Sequence, residues 1–236
     1  TPLAFTSTLN PSRIISSRQF STPSPNPTLP QSLLQLTENH PALLSTANWI
    51  DQYVVKLKLC PFAYRPLISN PDEVKFLPFR FSSNAPFAVE FDHLLNMLDV
   101  ESTLLAELNN GDDSSRRLTT IIVCLPPKNG KPSELYDNLN SSFDMYMEII
   151  NNHVNKLKGI EEGKVQCAMF HPKFTFAGNS EDDVGNFVNR SPHPIFHFLR
   201  EEEVTAAVDS YESKHGRKID HVWEKNMKVM DELGQT

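Results

Sequence analysis

Apolar side chains recur along the chain in two periods, and the alternation between these periods sets out the elements. From Ser45 to Lys58, Ala47, Ile50, Val54 and Leu57 share one helical face, with Ser45 or Thr46 placed as cap. That helix is predicted to stop at Leu59-Cys60-Pro61, because a residue before proline is driven out of the helical region. A weak strand over Val74 to Phe81 is interrupted by Pro78. Phe91, Leu94, Leu98, Leu105 and Leu108 then line one face of a helical stretch, divided or not near Asp99, which the polar run from Asn109 to Asp113 ends. Thr119 to Leu125 is apolar and β-branched almost throughout, the pattern of a strand buried on both faces. Ser133 caps the longest predicted helix, striped by Leu135, Leu139, Phe143, Tyr146, Ile150 and Leu157 and stopped at Gly159. Lys164 to His171 reads as a third strand, 175–189 as loop, and Ile195 to Tyr211 as a helix with a break near Glu201. The last helix, Ile219 to Leu233, is predicted to turn Ile219, Trp223, Met230 and Leu233 inward.

Strands separated by single long helices favour right-handed parallel crossovers. The expected fold class is therefore α/β, a small, mainly parallel three- to four-stranded sheet packed with helices. The chain has 236 residues, 39% of them hydrophobic and 22% charged, enough for one core, so residues 41–236 are expected to form a single domain. A net charge of −7 argues against nucleic acid as a partner, and no run of 18 apolar residues offers a membrane span. Three cysteines, Cys60, Cys124 and Cys167, form no close pair, which disfavours a disulfide framework or a CxxC site and points to a reducing compartment.

Residues 1–40 differ in kind. Up to Thr37 there is no Asp or Glu, Ser and Thr are abundant, Arg13 and Arg18 are spaced apart, and prolines crowd positions 23 to 30. This is the composition of an organellar transit peptide followed by a solvated linker, and Arg18-Gln19-Phe20-Ser21 resembles a mitochondrial cleavage site. Import into the mitochondrial matrix is expected, with the plastid as the alternative destination and a merely disordered N-terminus as the plain one.

In a parallel sheet the loops after the strands open at one edge, where open α/β sheets bind ligands. Pro126 to Lys131 supplies two lysines there without P-loop spacing. His171, held by Pro172, is a candidate general acid or base, or an ordinary turn histidine. Ser191 as cap and Pro192 at the first helical position would start a helix whose free N–H groups, beside Arg190, could hold a carboxylate or phosphate. The competing reading pairs Arg190 with Asp182 or Asp183 as a structural clamp. His193 and His197 have metal-ligand spacing on a helix, but Pro194 spoils it, and the least poor metal set, His171, His197 and a carboxylate, does not justify assigning a metal. Cys60 is a candidate nucleophile only if a cation such as Lys58 or Arg65 reaches it; otherwise it is a small buried hydrophobe, as Cys124 and Cys167 are expected to be.

Three segments together, Leu59-Cys60-Pro61-Phe62-Ala63, Phe170-His171-Pro172-Lys173-Phe174-Thr175-Phe176-Ala177-Gly178, and Asn189-Arg190-Ser191-Pro192 with Pro194 and Leu199-Arg200-Glu201, resemble the domain of unknown function 1415 family, known mainly from bacterial proteins. The resemblance covers roughly Asn48 to Tyr211 and implies shared ancestry but no activity. It makes Cys60, His171, Asn189, Arg190, Arg200 and Glu201 motif positions, and adds Asn189 and Arg200 to Arg190 and Ser191 as candidate binding residues. At His193 the family pattern more often has an aromatic residue.

The favoured function is an enzyme acting on a small anionic metabolite, with Arg190 holding the anion, His171 moving a proton and Cys60 as nucleophile. The alternatives are a non-catalytic accessory subunit or assembly factor of an organellar complex, and a metal-binding module. The sequence names no cofactor. If the enzyme reading holds, His171 and Arg190 are expected to meet at one cavity.

Overall fold

The structure, a computed structural model, describes residues 31–63, 66–67, 73–108 and 117–234. The transit peptide expected from composition and its cleavage site lie outside the described residues. Helix α1, Gln31–Asn39, is described, and its Leu33 is fully buried in the same core cluster as Leu43 and Ala47. Helix α2, Leu43–Trp49, runs on as a π-helical turn over Ile50–Val55, in which Lys56 N–H reaches the Asp51 carbonyl at 3.0 Å. It starts at Leu43 without a side-chain cap, leaving Ser45 and Thr46 inside the helix.

Four strands, β1 (Val74–Arg80), β2 (Thr119–Leu125), β3 (Val165–Phe170) and β4 (Ile195–Arg200), form one sheet in the order β1-β2-β4-β3. β1 and β2 are parallel, Val74 facing Thr119 and Arg80 facing Leu125, while β4 runs antiparallel to both of its neighbours. Three strands thus share a direction and β4 is inserted against them, so the sheet is mixed. β4 is where the periodicity reading fails, since Ile195 to Arg200 was expected to be helical. Phe196 and Phe198 are buried in the core on one face of the sheet and Ile195 in the core on the other, a both-faces pattern that a helix can imitate over six residues. The helix starts only at Glu201, where three glutamates fill the first turn. Pro78 is tolerated because β1 is an edge strand and pairs on one side only.

Helix α3, Phe87–Glu107, is undivided and covers one face of the sheet together with α4 (Glu134–Ser141), α5 (Phe143–Asn152) and the short α6 (Lys158–Glu161). These last three replace the single long helix expected from Ser133. Ser133 does cap α4, accepting from Tyr136 N–H at 3.3 Å, but Ser142 accepts from Met145 N–H at 3.2 Å and starts a second helix. Both serines offer the backbone the same alternative to a continuous helix.

Gly159 lies buried inside α6 instead of ending a helix, because α3 passes close by. A Cβ there would sit 3.0 Å from Ala106 Cβ and 3.1 Å from the Ser102 carbonyl, and backbone cannot yield as a flexible side chain can. Gly159→Ala is expected to cost about 1–3 kcal/mol by overpacking, read as a lowered urea midpoint. An unchanged midpoint would show that α6 can move away from α3.

Helices α7, Glu201–His215, and α8, Asp220–Gly234, complete the chain, α8 lying against a 3-10 turn at Val184–Val188. Met230 is buried as expected, but Trp223 is 54% exposed and Asn226 takes an inward place, donating to the Leu59 carbonyl at 2.7 Å.

Candidate functional site

β4 enters the sheet at the edge where β1, β2 and β3 leave it, since Ile195 faces both Val123 and Phe170. The loops read as candidates therefore gather at one edge despite the mixed pairing. The structure uses several of their motif residues internally.

His171 is fully buried, its Nε2 donating to the Leu139 carbonyl at 2.7 Å and its Nδ1 accepting from Lys173 N–H at 3.0 Å. Burial pushes its pKa down, with Lys173 adding to that and the Leu139 bond opposing it. Both ring nitrogens are thus committed to backbone, which fixes the start of the loop and leaves neither free for a substrate proton. Asn189 donates to the Met169 carbonyl at 2.9 Å, while its own carbonyl accepts from His171 N–H at 3.2 Å. Arg190 donates through Nε to Phe174 O at 3.1 Å and through NH2 to Glu181 O at 2.5 Å, with its guanidinium 4.6 Å from the centre of the Phe187 ring. This is the clamp on the 174–187 loop, made through carbonyls instead of the carboxylates of Asp182 or Asp183.

No helix starts at Ser191. Its hydroxyl donates to the His193 carbonyl at 2.5 Å, and the chain continues into β4, so the helix-terminus anion site is absent. The extended backbone that Pro194 imposes on His193 leads into a strand. Arg200 lies at the opposite, amino edge, facing Val165, and is paired with Glu202. Cys60 reaches solvent, yet enough protein surrounds the sulfur for burial to push its pKa up, against backbone bonds at Phe62 and Ala63 that favour the thiolate. Accessibility decides whether a reagent arrives and the raised pKa decides how much thiolate meets it, so Cys60 is reachable but not activated. Arg65, one cation considered for it, lies outside the described residues.

Two cavities flank α3. One of about 350 Å³ is bounded by Leu95, Asp99, His153 and Lys156, and a smaller one of about 100 Å³ by Thr103, Glu107 and Lys164. Neither includes His171, Arg190 or Cys60, so the expected meeting of His171 and Arg190 at a shared cavity is not found there. Among the described residues no three His, Cys, Asp or Glu side chains are grouped to hold a metal, and no helix is long and apolar enough to cross a membrane.

A different set of polar groups occupies the carboxyl edge. Arg80, the last residue of β1, donates through NH1 to the Pro126 carbonyl at 2.7 Å, and its NH2 lies 3.1 Å from His40 Nδ1. Nε is buried without an acceptor, and no carboxylate pairs with this guanidinium among the described residues. Arg117 and Arg200 by contrast meet Glu101 and Glu202, and Arg190 stands near Asp182 and Glu181. The His40 pKa is pushed down by burial, then by Arg80 and Lys128. Beside it His193 lies 2.8 Å from the Tyr136 hydroxyl through Nδ1, and 3.1 and 3.2 Å from Ser45 Oγ and the Ala42 carbonyl through Nε2. Its pKa too is lowered, by burial first and by Arg80, against the Ala42 bond. Sequence reasoning passed over Arg80 and Tyr136; the available signal for Arg80 was a lone basic residue closing a strand at the ligand-binding edge.

Fold and site together define a mixed α/β domain that carries, at the carboxyl edge of its sheet, a guanidinium flanked by two imidazoles and without a carboxylate partner among the described residues. The chain belongs to the family described as protein of unknown function (DUF1415), whose model matches residues 42–236. No curated protein matches the chain, and no solved structure does.

Proposed function

We propose that the protein is an enzyme acting on a small anionic metabolite, held at the carboxyl edge of the sheet by Arg80. The observation that carries this is that Arg80, in a half-buried position, has no carboxylate partner among the described residues, with Lys128 and two imidazoles close by. Of its five N–H groups two are committed, to Pro126 and His40, and an unanswered buried donor is a standing cost of about 1–3 kcal/mol. A planar fork with donors to spare suits a carboxylate or phosphate.

Thermal melts in the presence of phosphate and of small dicarboxylates test this. A ligand at a hundred times its Kd adds about 2.7 kcal/mol of stability. That gain is expected for the wild type and absent in Arg80→Met, with Arg80→Lys retaining only part of it. Equal stabilisation of wild type and Arg80→Met would remove Arg80 as the anchor.

The accessory-subunit reading has its own support, since His171, Asn189 and Arg190, all motif positions, serve as internal staples. Melts unmoved by any anion would favour it.

Import into the mitochondrial matrix, or alternatively the plastid, belongs to the same proposal and rests on the acid-free composition of residues 1–37. N-terminal sequencing of the protein from its organelle is expected to begin between Phe20 and Thr28, and retention of Thr1 would overturn cleavage at this site.

A further inference from the structure

The hydrogen bonds around His193 do not count out evenly in its neutral state. Nε2 faces two oxygens, the Ala42 carbonyl and the Ser45 hydroxyl, and that hydroxyl already donates to the same carbonyl at 2.9 Å. Nε2 must therefore carry a hydrogen. Nδ1 faces the Tyr136 hydroxyl at 2.8 Å, and that hydroxyl also lies 3.3 Å from Asn140 Oδ1. With His193 neutral, the single phenolic hydrogen goes to Nδ1 and the Asn140 oxygen goes without it. With His193 protonated, Nδ1–H donates to the phenol oxygen, the phenolic hydrogen turns to Asn140 Oδ1, and the Asn140 oxygen has its donor. The chain Asn140-Tyr136-His193 thus has two orderly arrangements that differ by one proton and one rotation of a hydroxyl.

We infer that anion binding at Arg80 is coupled to uptake of one proton by His193, with the Tyr136 hydroxyl reversing its direction. This rests on the anion site proposed above. The groups that bear on the chain are Arg80 from β1, which acts on His193, and Cys124 from β2 and Asp137 from α4, which act on Tyr136; His40, from the turn before α2, meets Arg80 and is itself acted on by Lys128 from the loop after β2. Glu90 of α3, the nearby buried carboxylate, is occupied by Ser82 N–H and the Ser133 hydroxyl. Burial and the Arg80 charge disfavour the imidazolium at His193, whereas the hydrogen-bond geometry suits it. An anion on Arg80 cancels the repulsion and leaves the geometry in place. By reciprocity a proton on His193 must favour the anion to the same degree. The site then takes up an anion and a proton together.

Sulfate, which does not titrate between about pH 5 and 8, is the probe. The His193 ring protons are followed by NMR across that range with and without sulfate, and sulfate affinity is measured calorimetrically in buffers of different ionisation heat. Sulfate is expected to raise the His193 midpoint, to bind with uptake of up to one proton, and to tighten by up to tenfold per pH unit of acidification between the two midpoints. Arg80→Met is expected to raise the midpoint without any sulfate and to abolish the response to it. Tyr136→Phe, which removes the reversing hydroxyl, is expected to lower the midpoint. If sulfate binds with pH-independent affinity while the midpoint stays put, the coupling is wrong and the anion site stands. If sulfate does not bind, the anion site falls, and an unmoved midpoint in Arg80→Met overturns the coupling as well.

Discussion

Asn186→Ala should lower stability by roughly 3–4 kcal/mol, a large share of the total for a domain of this size. The side chain is fully buried at the centre of the loop between β3 and β4. Its Oδ1 accepts from Phe176 N–H at 2.9 Å, and its Nδ2 donates to the carbonyls of Ser180 at 2.8 Å and Glu181 at 3.3 Å. Alanine leaves these backbone groups with no replacement for the amide, and each unmade bond costs about 1 kcal/mol or more when the group is shielded from water. Asn186→Asp keeps the acceptor but sets a carboxylate against two carbonyl oxygens, so it should not rescue. Urea unfolding of both variants decides the matter. A loss below about 1 kcal/mol would mean that water replaces the amide and that the loop is not organised around this residue.

Stability should also fall as the pH drops from 7 toward 4. Burial lowers the pKa of His171, His193 and His197 in the folded protein, and for His197 to about 4. Above the ordinary value near 6.5 these rings are neutral in both states, so their full stability is present. As the pH falls below 6.5 the unfolded chain takes up protons that the folded protein refuses. The loss grows until the folded value is reached, then levels. A displacement from about 6.5 to about 4 corresponds to roughly 3 kcal/mol for His197 alone. His197 is held on the sheet through the Thr119 hydroxyl, 2.5 Å from Nε2, which itself donates to the Phe198 carbonyl. Replacing His197 by Gln keeps a donor for Thr119 and removes the titration, so the pH dependence should flatten by the largest single share. An identical slope in that variant would assign the acid loss to other groups.

How much of this was legible in the sequence depended on whether the information was local. Thr119 to Leu125 was readable to the residue because a strand buried on both faces leaves an uninterrupted apolar run between breakers. Ile195 to Arg200 carries nearly the same signal, but Ser191-Pro192 imitated a helix start and the genuine helix follows immediately at Glu201. The joint between α4 and α5 was invisible because Ser142 sits inside a stripe that stays apolar on both sides of it. The motif around His171 and Arg190 was legible as important, yet sequence could not tell a staple from a ligand contact, which depends on where the free valences of each side chain end. Arg80 was missed for the complementary reason: its distinction is the partner it lacks, and a missing carboxylate leaves no mark on neighbouring letters.

The proline in β1 also bears on how molecules of this protein meet one another. A sheet with an open margin is a template on which a second chain can lay its own strand, the first step toward fibres or swapped dimers. At Pro78 the backbone has no hydrogen to offer an incoming strand. Two copies approaching margin to margin would meet a gap in the ladder. A residue that weakens the strand signal in the sequence thereby guards the folded molecule against pairing with its own kind.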